Sequence, residues 1–442
     1  LKTFKSDYML IQFLFILVAI IVGARLQGIG LGVMGGLGLA ILVFGFGLEP
    51  TSPPIDVMLM IVAVIAAASC MQAAGGLDLM VSLAEKFLRR HPQRITLFSP
   101  VVTYLFTFVA GTGHVAYSVL PVIAEVAHET KIRPERPLSI AVIASQQAIT
   151  ASPISAATVA LLSMLAGFDI SLLNILMISI PSTIVGVLLG ALVSMRMGKE
   201  LHEDPEYLQR LKAGMFDQDK RTDKVDSRLK SKAGLSVLIF ILATVLIILF
   251  GSIDGLRQIG DKTLEMPIII EILMLSAAAL ILLFTRTDGI KAAQGSVFVA
   301  GMQAVVAIFG IAWMGDTFIN GNMEQLRSSI EGVVRSMPWI FGVALFVMSI
   351  LLYSQAATVR ALMPLGIALG ISPWMLIALF PTVNGYFFLP NYPTVVAAIN
   401  FDRTGTTRIG KWILNHSFML PGLVATIGAV STGLLIITLT GL

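Results

Sequence analysis

Pro338–Phe401 reads PWIFGVALFVMSILLYSQAATVRALMPLGIALG and then ISPWMLIALFPTVNGYFFLPNYPTVVAAINF. These are two long apolar segments, 338–370 and 371–401, each interrupted by polar or helix-breaking chemistry. The first carries Ser354-Gln355-Ala356-Ala357-Thr358 and the second Pro390-Asn391-Tyr392-Pro393. In hydrocarbon an unpaired backbone N–H or C=O is so costly that a break survives only where it faces protein, water or a ligand. Two such breaks in adjacent segments mark a binding site built from discontinuous membrane helices. A matching pair precedes them. Ala110-Gly111-Thr112-Gly113-His114 divides segment 95–127, and Ser145-Gln146-Gln147-Ala148-Ile149-Thr150-Ala151-Ser152-Pro153 interrupts segment 137–166.

Composition agrees with a membrane setting. Of 442 residues, 56% are hydrophobic and 13% charged, where soluble domains carry about 25% charged residues. The chain is read as a polytopic, all-α membrane protein. Its formal charge of +4 implies no acidic partner, because Lys and Arg collect in cytoplasmic loops, and nothing points to nucleic acid. The single cysteine, Cys70, can form no intrachain disulfide. Gly30-Leu31-Gly32-Val33-Met34-Gly35 matches a dinucleotide fingerprint formally, but it lies in an apolar span with no strand before it and reads as close helix packing. HExxH, P-loop and Cys/His metal spacings are absent, as is a nucleophile–base pair, so no enzyme activity, cofactor or metal is expected. Lys2 and Lys5 before the run Tyr8–Val22 resemble a signal peptide. Gly23-Ala24-Arg25 is a poor cleavage site, however, and another span follows at once, so the run is read as the first helix.

Spans of roughly 20 apolar residues fall at 8–24, 28–48, 57–74, 137–166, 173–195, 233–250, 267–285, 295–315, 371–401 and 412–439. Charge decides what 95–127 and 338–370 are. If each is a hairpin returning to its side of entry, with the N-terminus outside, 23 of the 30 Lys and Arg lie in inside loops. A single crossing at 95–127 would set the cations of 131–136 against those of 86–94, contrary to the positive-inside bias. The expected plan is therefore two inverted repeats, 1–195 and 233–442. Each has three spans, an amphipathic stretch, a re-entrant hairpin (95–127; 338–370), a broken span (137–166; 371–401) and a last span. Leu77–Leu88 and Met323–Met337 follow helical spacing and would lie along opposite membrane faces. Residues 196–232, with 10 basic and 8 acidic residues, read as a solvated cytoplasmic linker.

Each leg of the first hairpin, at about 1.5 Å per residue, is too short to cross a ~30 Å core, so the tip stops near mid-membrane. Pro153 starts a new half-helix, with Thr150 and Ser152 as N-cap types. A half-helix N-terminus offers unpaired N–H groups and roughly half a positive charge without burying a lysine. Two opposed sets suit a substrate with an anionic group at each end. The expected binding residues are Gly111, Thr112, Gly113, Thr150, Ser152 and Ser155 from the first half. Ser354, Gln355, Thr358, Asn391 and Thr394 come from the second. Small residues that only pack helices explain one break in isolation, but four in inverted register fit that alternative poorly.

The charges are more ambiguous. Glu85 and Arg89, at i and i+4, form a surface pair or serve function. Arg133 and Arg136 steer an anion or hold the inside loop. Arg360 is an intramembrane charge or snorkels to the outer interface. Asp402 and Arg403 follow the last broken span and cap its inner end or act in transport. His114, at a break, can take a proton.

These residues resemble the anaerobic C4-dicarboxylate transporter (Dcu) family, within the larger ion-transporter superfamily, over nearly the whole chain. The resemblance is carried by Ala74-Gly75-Gly76-Leu77-Asp78, Glu85-Lys86-Phe87-Leu88-Arg89-Arg90, Gly111-Thr112-Gly113 and Ala151-Ser152-Pro153-Ile154-Ser155. It is strongest in Leu352–Thr358, Leu389-Pro390-Asn391-Tyr392-Pro393 and Asp402-Arg403-Thr404-Gly405-Thr406-Thr407. Tyr353–Thr358 looks closer to the constitutive, aspartate-handling branch. The resemblance implies a multi-pass bacterial inner-membrane carrier of fumarate, succinate, malate and aspartate, acting as antiporter or with a coupled proton or sodium ion. It points to Glu85, Arg89 and Arg133 as transport-relevant. It also implies an elevator-type homodimer among membrane lipid, with a scaffold of 8–74 and 233–315 and a mobile unit of 95–195 and 338–439. Asn391 departs from the usual Thr but keeps an acceptor and adds donors. An inorganic-ion or proton antiporter on the same architecture is the alternative. It would place Asp or Glu near the breaks, whereas Glu125 and Asp402 lie near segment ends.

Overall fold

The computed structural model describes residues 2–26, 29–53, 55–213, 227–260, 262–352, 354–390, 392–412 and 414–442. The first half contains α1 (Lys2–Leu26), α2 (Gly30–Ala40, extended by a π turn to Gly45), α3 (Ile55–Ala73), α4 (Gly76–Arg90), α5 (Ile95–Ala110), α6 (Ala116–Glu129), α7 (Glu135–Ala151), α8 (Ala156–Leu165) and α9 (Leu172–Ser194). A short α10 (Pro205–Lys212) follows. The second half runs through α11 (Ser227–Ser252), α12 (Met266–Thr285), α13 (Gly289–Gln294), α14 (Ser296–Ser336), α15 (Trp339–Leu352), α16 (Gln355–Ala368), α17 (Pro373–Leu379), a 3-10 segment Phe380–Phe387, α18 (Pro393–Phe401) and α19 (Met419–Thr440). Among the described residues β structure is limited to a two-residue hairpin, Gln258–Ile259 against Lys262–Thr263, and an isolated bridge between Ile409 and His416.

Six helices or helix pairs among the described residues are long and apolar enough to cross a membrane, so this is a multi-pass membrane protein. A seventh candidate is α3 with α4, bent by 68°. Gly75 causes the bend: at φ +81° it takes the left-handed conformation that ends α3 and that side chains resist. The amphipathic stretch Leu77–Leu88 thus becomes a helix of its own. Its counterpart does not. All of Met323–Met337 but its last residue continues α14, a single helix of 41 residues. The intervening Asn322 does not break it, because its amide donates to Phe318 O at 3.0 Å and to Gln12 Oε1 at 2.7 Å.

Close backbone approach explains the glycines in the spans. A Cβ on Gly310 of α14 would overlap the Gly32 carbonyl oxygen of α2, and one on Gly35 would lie 2.5 Å from the Gly310 carbonyl carbon. Gly30–Gly35 is therefore a packing surface between helices. Gly186 of α9 is pressed against Ala425 of α19 in the same way. Helices α2, α3, α11, α12 and α14 pack mainly on one another, as do α5, α7, α9 and α19, while α15 packs mainly on the 3-10 segment Phe380–Phe387 and on α16.

Helix α7 is the centre of the second group, buried at every position from Pro137 to Ala151. A hydroxyl ladder joins it to α5. Ser99 Oγ donates to Pro137 O at 3.1 Å, Thr103 Oγ1 to Ala141 O at 2.8 Å, and Thr107 Oγ1 meets Ser145 Oγ at 2.7 Å. Residues advance by four on both helices, so α5 and α7 run parallel.

Candidate functional site

The four sequence breaks meet. Helix α5 stops at Gly111 (φ +70°), and the 3-10 turn Gly113–Val115 leads into α6. A Cβ on Gly111 would come 2.9 Å from Ile154, in the gap between α7 and α8, and one on Gly113 would lie 2.5 Å from Gln146 Nε2. Only glycine lets the first hairpin tip reach the second break this closely.

A buried network of uncharged side chains ties the remaining elements together. Gln355 Nε2, on the first residue of α16, donates to Gln146 Oε1 at 2.8 Å and to Asn384 Oδ1 at 3.2 Å. Asn384 Nδ2 donates to Gln147 Oε1 at 3.2 Å and Thr150 Oγ1 at 3.5 Å. Gln146 Nε2 reaches Thr394 Oγ1 at 3.5 Å in the first turn of α18, and Gln147 Nε2 reaches Thr426 Oγ1 of α19 at 3.2 Å. Of the expected residues, Thr150, Gln355 and Thr394 belong to this network. Gln146, Gln147, Asn384 and Thr426 lie outside the binding residues expected from sequence, although Asn384-Gly385 inside an apolar run is a turn signal.

The other expected residues shape the breaks. The second half-helix of the first broken span begins at Ala156, not at Pro153. Its cap is Ser155, whose hydroxyl accepts from Thr158 N at 3.1 Å and donates to Ile149 O at 2.6 Å. Thr150 is still inside α7, donating to Gln147 O at 2.8 Å, and Ser152 donates to Phe108 O at 2.7 Å. Pro153 lies in the turn between them because α7 leaves its helical path only at Ser152, where ψ is 128°. Thr112 is half-buried at the tip. Ser354 caps α16, accepting from Ala357 N at 3.2 Å, and Thr358 Oγ1 bonds back to Ser354 O at 2.8 Å. The break in 371–401 is wider than Pro390–Pro393: helical geometry already tightens at Phe380 and kinks at Asn384. Asn391 and the side chain of His114 lie outside the described residues.

Most of the singled-out charges lie elsewhere. Arg89 of α4 pairs with Glu85 at 2.8 Å, with Glu125 at 3.0 Å and with Glu129, fastening α4 to α6. Arg133 is 3% exposed and held by Glu135 Oε2 at 2.5 Å, Asp204 Oδ2 at 2.7 Å and the Lys199 carbonyl at 3.3 Å. Burial alone would push the Asp204 carboxyl up, but the Arg133 hydrogen bond and the Tyr207 and Glu206 N–H groups outweigh it and hold it below its ordinary value. Asp402 is buried and organises its own turn, accepting from Thr404 N at 2.8 Å, Thr406 Oγ1 at 2.8 Å and Thr407 N at 2.6 Å. Residues 199–212 of the expected linker are tied to the protein while most of them stay exposed: Arg210 also donates to Arg403 O at 2.9 Å, and Glu206 accepts from Arg408 at 2.9 Å. Residues 214–226 of the linker lie outside the described residues. Half-buried Arg360 of α16 lies within attracting distance of Asp316 on α14. An acid thus does lie alongside the second hairpin, contrary to the expectation from segment ends.

Among the described residues the network carries no ionised side chain, and no cluster fit to hold a metal exists. What it offers is neutral donors and acceptors beside three helix starts, at Ala156, Gln355 and Pro393.

A family model described as anaerobic C4-dicarboxylate membrane transporter matches residues 8–441. The chain is 44% identical to C4-dicarboxylate transporter DcuA of Wolinella succinogenes over 430 residues, 96% of this chain and 98% of that protein. It is likewise 44% identical to DcuA of Escherichia coli (strain K12) over 428 residues, covering 96% and 98%. To anaerobic C4-dicarboxylate transporter DcuB of Escherichia coli O6:H1 it is 41% identical over 423 residues, covering 94% and 95%.

Proposed function

The chain belongs to the anaerobic C4-dicarboxylate membrane transporter family, transporters and not enzymes, and from that premise we propose that it is a secondary carrier of fumarate, succinate, malate and aspartate. It works in the bacterial inner membrane as an exchanger or with a coupled proton or sodium ion. The observation that carries this reading is the network of Gln146, Gln147, Gln355 and Asn384 at the meeting of the breaks. Amide and hydroxyl groups there hydrogen-bond a carboxylate, and the starts of α8, α16 and α18 supply the positive potential. A carboxylate held this way needs no buried lysine, which keeps the empty site free of an unpaired charge.

Segments 95–127 and 338–370 act as re-entrant hairpins in two inverted repeats, 1–195 and 233–442. The parallel run of α5 and α7 supports the first hairpin, since α6 must then bring the chain back. The separate packing of two helix groups supports an elevator. One group, with 8–74 and 233–315, is the scaffold, and the other, with 95–195 and 338–439, carries the substrate between the two sides, in a homodimer.

Labelled fumarate uptake into proteoliposomes, loaded with succinate or left empty, tests this. Rapid uptake into loaded vesicles only is the expected result. Asn384→Ala and Ser354→Ala should each lower the exchange rate about tenfold, the loss of one or two hydrogen bonds to a charged group. No uptake by folded protein in either vesicle would overturn the assignment and favour the inorganic-ion antiporter, for which Asp316, close to Arg360 of the second hairpin, is the candidate acid.

A further inference from the structure

Tyr386 lies in the 3-10 segment, two residues after Asn384. It is 2% exposed, yet its hydroxyl has no hydrogen-bond partner among the described residues. A buried hydroxyl without a partner has lost its water and gained nothing in exchange. Phenylalanine would fill the same space without that cost. The ring belongs to the buried apolar cluster that also holds Val115 and Ala116, at the first hairpin tip, and Val395 and Ala398 of α18. Its centroid is 4.5 Å from that of Tyr392, and Tyr392 is the N-cap of α18.

That helix start is itself incomplete. Helices α8 and α16 are capped by the hydroxyls of Ser155 and Ser354, whereas Tyr392 makes no side-chain cap bond to the first turn of α18. Pro393 has no N–H, and the first intrahelical bond comes from Val396 N to Tyr392 O at 3.0 Å. Among the described residues Thr394 and Val395 N–H are thus left open at the positive end of a nine-residue helix. Thr394 connects this end to the network through Gln146.

We propose that Tyr386 is a substrate-binding and specificity-determining residue, whose hydroxyl, with the first-turn N–H groups of α18, holds one carboxylate of a C4-dicarboxylate. The inference rests on the carrier reading above and adds to it the place of one carboxylate. The unpartnered hydroxyl and the uncapped helix start meet their hydrogen-bonding needs in the loaded state.

The test uses purified full-length protein, wild type and Tyr386→Phe, with succinate as the probe. Calorimetry gives Kd, and thermal melting gives Tm with and without succinate. The expected variant melts at or above the wild-type Tm when empty and binds succinate about 10–100-fold more weakly, so the succinate-induced rise in Tm shrinks. An unchanged Kd overturns the inference, since water then satisfies the hydroxyl. A fall in the empty Tm overturns it as well, since the hydroxyl then has a structural partner. In the wild type, ring-labelled tyrosine should show a shifted C–O stretch on succinate addition in infrared difference spectra. No shift overturns the inference whether or not the variant folds. Wild-type protein that binds succinate beside a variant that binds it equally well defeats this inference alone, whereas wild-type protein that binds none defeats the carrier reading with it.

Discussion

Arg133 shows how a single residue can look functional in sequence and be occupied in the fold. Its guanidinium is enclosed by Glu135, Asp204 and the Lys199 carbonyl, and Gly198, at φ +62°, lets the backbone turn against it where any side chain would collide. Removing one member of a buried ion group leaves the others uncompensated, so Arg133→Met should lower stability by about 3–5 kcal/mol, read as a drop in Tm of the detergent-solubilised protein. The pH dependence follows from Asp204, whose pKa is depressed in the folded protein. Its contribution is present above the ordinary carboxylate pKa of about 3.9 and is lost as pH falls through the lower folded value. The Tm gap between wild type and Asp204→Asn should therefore be constant from about pH 8 to 5 and close only in strong acid. A gap that closes near neutrality would show that another group governs the clasp. Sequence put Arg133 at the entrance to the first broken span but held no sign of Asp204 as its partner, because the two are 71 positions apart.

At the scale of elements, the spacing of small and hydroxyl residues sets which helices touch. Ser99, Thr103 and Thr107 repeat every four residues, as do their partners on α7, and a helix of 3.6 residues per turn places such residues on one face. Gly32, Gly35 and Gly310 likewise bring α2 and α14 into backbone contact. Gly310→Ala should cost about 1–3 kcal/mol through overpacking, whereas Gly36→Ala, where a Cβ would meet nothing within 4 Å, should be close to neutral. Equal melting of the two variants would mean that α2 and α14 part freely. The element misjudged from sequence is the second amphipathic stretch. Periodicity identified its helix correctly but not its continuity with α14, which depends on Asn322 finding Gln12 on α1.

For the whole molecule, the question is whether the two packed groups move relative to each other. Helices α14 and α16 meet at Gly315 and Ala361, where a Cβ on Gly315 would lie 3.6 Å from the Ala361 Cβ, within the range a disulfide spans. In a background with Cys70→Ser, Gly315→Cys with Ala361→Cys should crosslink on oxidation. Under the elevator reading the bridge stops fumarate–succinate exchange in proteoliposomes, and reduction restores it. Full exchange with the bridge demonstrably formed would exclude relative motion of α14 and α16.

The amino-acid order alone was enough for the membrane class, the helical architecture, the family and two of the four break positions, because hydrophobic run length, proline, glycine and charge bias all act over a few neighbouring residues. The other two breaks were legible only in part: Ser145–Ala151 stays helical and the first broken span opens only at Ser152, while in the second the pattern marks Pro390–Pro393 and not the kink at Asn384. Which polar groups complete the site was decided by tertiary structure. Gln147 meets Thr426 across 279 positions, Gln355 meets Gln146 across 209 and Glu135 meets Ser417 across 282. Such pairings, like the burial of an unpartnered Tyr386 hydroxyl, arise only when distant helices pack. A local pattern records what each residue can donate or accept, and the fold alone determines whom it faces.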